Sequence, residues 1–426
     1  MQDWWTEARF GLFVHWGLYA LPARHEWVKS REKMTDEAYQ RYFDRFDPDL
    51  YDPTQWARAA KEAGMRYVVV TAKHHDGFCL WDSRYTNFKA TNTPAGRDLL
   101  RPLLEAVRAE GLRVGLYYSL LDWHHPEYTV DLHHPMRDDK EFTEKSGARD
   151  LGKYADYLFA QVRELLTDFG TVDVLFLDYS FAGPGGKGRR EWRSEELIRM
   201  IRELQPGILV NDRLDLLDVP GGWDFRTPEQ FMPRQWVECE GRRVPWETCQ
   251  TFSGSWGYDR DESTWKSPRQ LIVMLIETVS KGGNLLLNVG PTGRGTFDPR
   301  AIGRLRAIGE WMRLHGRSIY GCTQAPEELR APANCLLTYH PAAKRLYVHV
   351  LEWPAGELVI DDLEGRAGYA QLLNDASEVP FAARGQERGY FSGARAGLPA
   401  DTLALRLPVE KPGVEVPVIE LFLEEG

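Results

Sequence analysis

Runs of apolar residues that end in polar ones recur along the first three quarters of the chain. Residues 172–177 read Val-Asp-Val-Leu-Phe-Leu, which is typical of a strand buried on both faces. Asp178 follows directly, and an ionised carboxylate is costly to bury unless it is paired or hydrogen-bonded. Asp178 is therefore expected at the open end of its strand, among polar partners. Four other apolar runs end similarly, at His15, at 73–76 (Lys-His-His-Asp), at Tyr118 and at 211–213 (Asn-Asp-Arg).

Segments with helical periodicity alternate with these strands. Polar groups at the carboxyl ends of successive strands indicate the active-site face of a (β/α)8 barrel. Helix capping would explain any one of these polar strand ends, but five in succession favour a site. Two long connections, 26–52 and 122–150, are expected to shape the pocket. The predicted helices are 54–63, 97–110, 151–169, 194–204, 268–280 and 299–314, with a further buried strand at 284–289.

The pattern changes near Cys322, where short alternating runs separated by Pro, Gly and Asn-Asp replace the helical periodicity. We predict an α/β protein in which a (β/α)8-like barrel, residues 1–321, precedes a small antiparallel β-sandwich domain, residues 322–426. The strands predicted in this second domain are 335–339, 345–351, 357–360, 369–373, 402–407 and 417–423.

Composition excludes several classes of function. The chain has 426 residues, enough for a barrel and a smaller domain, and its formal charge of -10 argues against a nucleic-acid partner. No apolar run approaches the roughly 20 residues of a membrane helix. The residues after Met1 lack the pattern of a signal peptide, which favours the cytoplasm, although a removed signal would leave the same sequence. The five cysteines form no disulfide framework and no zinc motif.

Paired carboxylates at a barrel mouth point to glycoside hydrolysis. Asp178 supplies the first carboxylate, and the second is expected from a later loop, as either Glu229 or Glu247. Arg213 is close enough in sequence to pair with a carboxylate or to hold a substrate. Histidine can hydrogen-bond sugar hydroxyls through both ring nitrogens, and the candidates are His15, His74 and His75.

Three alternatives stay open. Histidine-rich segments could instead build a metal-dependent hydrolase on the same barrel. However, the first strand lacks a His-x-His pair, and adjacent histidines on a strand point to opposite faces. Among glycosidases the sugar itself stays open, and the chain could also be a sugar-binding protein without catalytic activity.

The chain resembles the α-L-fucosidases of glycoside hydrolase family 29. The likeness covers the whole barrel and extends more loosely into the β domain. Residues 282–291, Gly-Gly-Asn-Leu-Leu-Leu-Asn-Val-Gly-Pro, are a highly specific match. The other matching segments are 5–17, 25–27, 72–78, 115–119, 173–178, 211–213 and 255–258.

The resemblance implies a retaining, double-displacement exo-α-L-fucosidase without a metal or cofactor. Asp178 matches the nucleophile and Glu229 the acid/base of one subgroup, with Glu247 kept as an alternative. The implied partner is a fucosylated oligosaccharide or glycoconjugate, and a homo-oligomer stays open. Residues 177–179 depart from the aromatic and glycine that many members have around the nucleophile. The implied substrate-binding residues are His15, Glu26, Trp27, His74, His75, Tyr118 and Arg213 for the hydroxyls, with Phe176 and Trp256 lining the sugar.

Overall fold

The computed structural model describes residues 3–363, 365–383 and 401–424. In chain order, the strands are β1 (Phe10–Val14), β2 (Tyr67–Lys73), β3 (Arg113–Ser119), β4 (Val174–Asp178), β5 (Leu209–Val210), β6 (Glu238–Cys239), β7 (Arg242–Arg243), β8 (Glu247–Thr251), β9 (Asn284–Val289), β10 (Thr323–Gln324), β11 (Cys335–His340), β12 (Arg345–Val350), β13 (Glu357–Ile360), β14 (Ala367–Leu372), β15 (Phe381–Ala383), β16 (Leu403–Arg406) and β17 (Val418–Leu423). The α-helices are α1 (Asp3–Ala8), α2 (Val28–Arg31), α3 (Asp36–Phe43), α4 (Pro53–Glu62), α5 (Leu100–Ala109), α6 (Lys140–Ser146), α7 (Leu151–Asp168), α8 (Ser194–Leu204), α9 (Pro268–Ser280) and α10 (Pro299–His315).

Seven parallel strands form one curled sheet in the order β5-β4-β3-β2-β1-β9-β8. Residues 225–229 lie between its two end strands and pair with both sides through single parallel bridges. Asn211 pairs with Phe225 on the β5 side, and Glu229 pairs with Cys249 on the β8 side. The segment therefore occupies an eighth strand position and closes the ring, so the predicted (β/α)8-like barrel is confirmed.

Helices cover the outside of the barrel where the sequence predicts them. The buried face of α5 carries Leu100, Leu103, Leu104 and Val107, at the spacing of an amphipathic helix. The expected alternation of strand and helix fails at one place. Residues 211–246, all of which the structure describes, contain no helix, and loops with the β6-β7 hairpin connect β5 to β8 instead.

Two apolar layers fix which way the strand side chains point. Because side chains alternate along a strand, Tyr117 faces the barrel interior while Tyr118 packs in the layer between sheet and helices. The interior layer includes Phe13, Tyr67, Val69, Tyr117, Val174, Phe176, Leu209, Phe225, Cys249 and Leu286.

The described residues of the C-terminal region form two antiparallel sheets, β10-β11-β12-β17-β14 and β13-β16-β15, around a core of their own. The predicted β-sandwich is thus confirmed. It contacts the barrel through the indole of Trp311, which donates to the carbonyl of Val416 at 2.9 Å. The first strand of these two sheets, β10, follows the predicted boundary between residues 321 and 322, which stays a prediction.

The five cysteines are all free thiols, and four of them are buried. No helix in the described parts of the chain is both long enough and apolar enough to cross a membrane.

Candidate active site

A cavity opens at the carboxyl ends of the barrel strands. This is the end of the barrel at which the sequence places the candidate chemistry. Eight of the eleven predicted site residues line it, together with four residues that the sequence did not single out. The lining consists of Phe13, His15, Trp27, His74, His75, Tyr117, Phe176, Asp178, Tyr179, Glu229, Cys249 and Trp256.

Two donors converge on the Asp178 carboxylate. The phenol of Tyr117 donates to Oδ2 at 2.7 Å, and Nη1 of Arg213 donates to Oδ1 at 2.9 Å. Asp178 ends β4, and both donors stabilise its charged form and fix its orientation. Tyr179, the next residue, has a φ of 78°, which is uncommon for a residue other than glycine and is found preferentially at functional sites.

Arg213 links Asp178 to the second carboxylate. Its Nη1 also lies 2.9 Å from Oε2 of Glu229. Two contacts from Arg213 to Thr227, at 2.9 Å and 3.1 Å, hold the guanidinium in place. Because both carboxylate oxygens lie 2.9 Å from one nitrogen, they are at most twice that distance apart. Retaining glycosidases space their carboxyl groups about 5 to 5.5 Å apart, whereas inverting enzymes need about 6.5 to 9.5 Å.

The environment of Glu229 suits a proton donor. Partial burial raises its pKa, Arg213 opposes this, and the negative charge of Asp178 raises the pKa again; the net shift is upward. Its side chain is 41 % exposed, while that of Asp178 is 13 % exposed. Glu229 therefore lies on the solvent side of the pair.

Three histidines form the cavity floor and are held neutral. Burial lowers the pKa of His15 to about 3 and that of His75 to about 4, and it lowers the pKa of His74 well below its ordinary value. The amide nitrogen of Asn288 donates to the carbonyl of Trp256, so its oxygen faces His15 Nδ1 at 2.6 Å. His15 Nδ1 must then carry the proton, which leaves Nε2 as an acceptor.

The same logic fixes the tautomer of His75. The hydroxyl of Ser119 donates to the carbonyl of Leu121, so it accepts from His75 Nδ1 at 2.6 Å. His75 Nε2, which is 3.9 Å from Asp178, is therefore unprotonated. The floor thus presents acceptors for hydroxyl groups beside the carboxylate pair.

Aromatic rings form the cavity walls. The ring centroids of Trp256 and His15 are 5.1 Å apart, and those of Phe13 and Phe176 are 5.2 Å apart. Trp27 contacts the His75 ring at 4.9 Å from another side. Neutral imidazoles below and apolar rings around them suit one sugar ring, with its hydroxyls on the floor and its C–H faces on the walls.

Glu26 lies behind the wall rather than on it. Its side chain is fully buried, and its Oε2 accepts the backbone N–H of Gly257 at 2.8 Å. Burial raises its pKa to about 7. In this structure Glu26 positions the segment that carries Trp256.

The structure does not bring Tyr118 into the cavity, and the expectation for this residue is corrected to its neighbour Tyr117. The Tyr118 phenol donates to Gln161 on α7 at 2.8 Å, and the buried Lys73 ammonium lies 4.3 Å from its ring. The other residues that the sequence missed are Phe13, Tyr179 and Cys249. No parity signal in the sequence separates Tyr117 from Tyr118, because β3 is buried on both faces.

Glu247 lies at the opposite end of the barrel. It begins β8, opposite Asn284 at the start of β9, and accepts a hydrogen bond from the phenol of Tyr67 at the start of β2. Burial raises its pKa to about 8. This position separates Glu247 from Asp178 by the length of the strands.

A close carboxylate pair at the mouth of a barrel, above neutral histidines and between aromatic rings, defines a retaining glycoside hydrolase. The alpha-L-fucosidase family model matches residues 1–317. Human plasma alpha-L-fucosidase is 30 % identical over 418 residues, covering 91 % of this chain and 83 % of the relative. The chain belongs to the alpha-L-fucosidase family.

Solved structures agree with this assignment. Alpha-L-fucosidase isoenzyme 1 from Paenibacillus thiaminolyticus is 44 % identical, with a TM-score of 0.92, over 99 % of this chain and 98 % of that one. A Bacteroides thetaiotaomicron alpha-L-fucosidase, captured as a trapped covalent intermediate, is 27 % identical with a TM-score of 0.82, over 99 % and 95 %. The predicted class of enzyme, a retaining α-L-fucosidase, is confirmed.

Proposed function

We propose that Asp178 is the nucleophile and Glu229 the general acid/base in hydrolysis of terminal α-L-fucose from fucosylated oligosaccharides or glycoconjugates. The observation that carries this assignment is the shared contact with Arg213. One guanidinium nitrogen lies 2.9 Å from an oxygen of each carboxylate, so these two oxygens are at most twice that distance apart, which supports a retaining pair over an inverting one.

In the first step, an Asp178 oxygen forms a bond to the anomeric carbon while the bond to the leaving-group oxygen breaks. Glu229, with its raised pKa, donates its proton to that oxygen. In the second step, Glu229 takes a proton from water, which attacks the anomeric carbon and releases Asp178 as a carboxylate. Tyr117 and Arg213 stabilise the charge that returns to Asp178.

The cavity lining suits the hydroxyl groups and the methyl group of a fucose ring. His15 and His75 each offer an unprotonated ring nitrogen, which can accept from sugar hydroxyls. Phe176 and Trp256 supply an apolar wall for the methyl group that distinguishes fucose from galactose. A hydrophobic pocket rejects an added hydroxyl only modestly, by roughly 10²-fold, so weak activity on the corresponding galactoside is expected.

The test compares hydrolysis of an aryl α-L-fucoside with that of the aryl α-L-galactoside and of other aryl glycosides, with and without a chelator. We expect fucoside hydrolysis that the chelator leaves unchanged and that exceeds galactoside hydrolysis. Faster hydrolysis of another glycoside would show that fucose is not the preferred sugar. Turnover that the chelator abolishes would indicate a metal-dependent hydrolase, and fucoside binding without turnover would indicate a non-catalytic binding protein.

A further inference from the structure

Beyond the sugar cavity, the aromatic wall continues outward along two loops. Tyr179 is the link, because its ring contacts His75 at 5.1 Å inside the cavity and Phe181 at 5.6 Å outside it. His133, from the loop after β3, lies 5.0 Å from the Tyr179 ring and 5.8 Å from that of Phe181. We call Tyr179, His133 and Phe181 the aromatic rim. All three residues are half-buried.

The leaving group must exit on the side where the rim lies. Exposure rises from the histidine floor through Asp178, at 13 %, to Glu229, at 41 %. Glu229 has to reach the leaving-group oxygen in the proposed reaction, so the rest of the substrate extends past it toward solvent. Tyr179 lines the same cavity as Glu229, and burial together with the charges of Asp178, Asp131 and Glu229 raises the Tyr179 pKa.

Hydrogen bonds between the two loops hold the aromatic rim in place. The Tyr179 phenol and Nε2 of His133 are hydrogen-bonded at 2.8 Å across the two loops. The buried Lys187 ammonium donates to the carbonyl of Thr129 at 2.8 Å, which ties the same loops together from behind. Phe181 bridges to Lys187 through its backbone, and its ring covers Gly186 so closely that a Cβ there would collide with it.

We propose that the aromatic rim is a binding subsite for the sugar to which fucose is attached, and that it takes a neutral pyranose through its C–H face. The proposal rests on the proposed function, because it needs Glu229 to mark the leaving-group side. The rim offers flat rings at the mouth, and such rings contribute through dispersion and contact area more than through directional hydrogen bonds. It would therefore contribute to kcat/KM for disaccharides and contribute nothing for substrates whose leaving group carries no ring.

The experiment uses two kinds of substrate on the full chain. α-L-Fucosyl fluoride fills the sugar cavity but reaches no further, while fucosyl disaccharides with galactose or N-acetylglucosamine as the leaving sugar also occupy the rim. We expect Phe181→Ala to lower kcat/KM about 3- to 10-fold for at least one disaccharide and to leave fucosyl fluoride within about 2-fold. Tyr369→Ala, which removes a half-exposed aromatic from β14 in the C-terminal sheet, is the matched control and should change neither.

The outcomes separate the two proposals. If wild-type protein leaves fucosyl fluoride intact, the proposed function itself fails. If wild type cleaves both kinds of substrate and Phe181→Ala lowers both rates equally, or lowers none, the subsite proposal is overturned. Phe181→Leu keeps apolar cover over Gly186 but removes the flat ring, so it gives the same test should the alanine variant fold poorly.

Discussion

Tyr117 and Tyr118 are adjacent in sequence, and their side chains lie on opposite faces of β3. Tyr117 donates to Asp178 at 2.7 Å inside the barrel, and Tyr118 donates to Gln161 at 2.8 Å outside it. Tyr117→Phe removes one of two donors to the nucleophile without changing the shape of the side chain. Arg213 then remains as the donor to this carboxylate, which is held less firmly and has lost a partner when its charge returns in the second step.

The magnitude follows from the kind of bond. A hydrogen bond to a charged acceptor is worth about 1.5 to 3 kcal/mol. At about 1.36 kcal/mol per tenfold change in rate, kcat/KM should fall roughly 10- to 150-fold. Tyr118→Phe is the matched control, since it deletes the same atom one residue later. It should keep kcat/KM within about 3-fold of wild type and lower the free energy of unfolding by about 1 kcal/mol.

The assay is steady-state hydrolysis of an aryl α-L-fucoside, with urea unfolding to check stability. A pre-steady-state burst in Tyr117→Phe would show that the second step has become slower than the first. The reasoning is refuted if Tyr117→Phe retains wild-type kcat/KM, or if Tyr118→Phe loses as much activity as Tyr117→Phe.

Further predictions concern the acid/base and the buried histidines. Glu229→Ala should slow fucosides with poor leaving groups most and recover rate with azide, whereas Glu247→Ala should lower stability without azide rescue; the reverse result would exchange their roles. The basic limb of the wild-type kcat/KM profile should follow Glu229, whose raised pKa means that activity falls as pH rises through it, and a limb unchanged in Glu229→Gln would contradict this. Burial lowers the folded-state pKa of His349 to about 3, below the ordinary 6.5, so its contribution to stability is full above about pH 6.5 and is lost as pH falls toward 3. His349→Gln should make the loss of unfolding free energy between pH 6 and 4 shallower by about 1.4 kcal/mol per pH unit. Urea unfolding at several pH values measures this, and an equal dependence of the unfolding free energy on pH in variant and wild type would contradict the prediction.

The sequence predicted the parts of the fold that apolar patterns encode. Strands such as β4 and β9 are buried on both faces, and helices such as α5 carry a distinct apolar face. The strand position that residues 225–229 occupy escaped prediction because this segment, Phe-Arg-Thr-Pro-Glu, has no apolar run and pairs only through single bridges. Pairing of this segment with its neighbours nonetheless places Glu229 at the barrel mouth.

The site was predicted best where a polar residue ends a strand, as at His15 and Asp178. It was predicted worst within β3, because residues buried on both faces of a sheet give no parity signal to separate Tyr117 from Tyr118. Tyr179 and His133 belong to loops, whose mutual approach depends on contacts such as that of Lys187 with Thr129. No local pattern in the sequence reports such a contact.

The most direct test of the central claim is the configuration of the azide product made by Asp178→Gly. The account predicts a loss of several orders of magnitude in rate, partial recovery with azide, and β-L-fucosyl azide as the product, since azide would enter from the face that the Asp178 carboxylate had occupied. NMR distinguishes the two anomers directly. Recovery of the α anomer from this variant, or release of β-L-fucose as the first product of wild type, would mean that Asp178 is not the nucleophile.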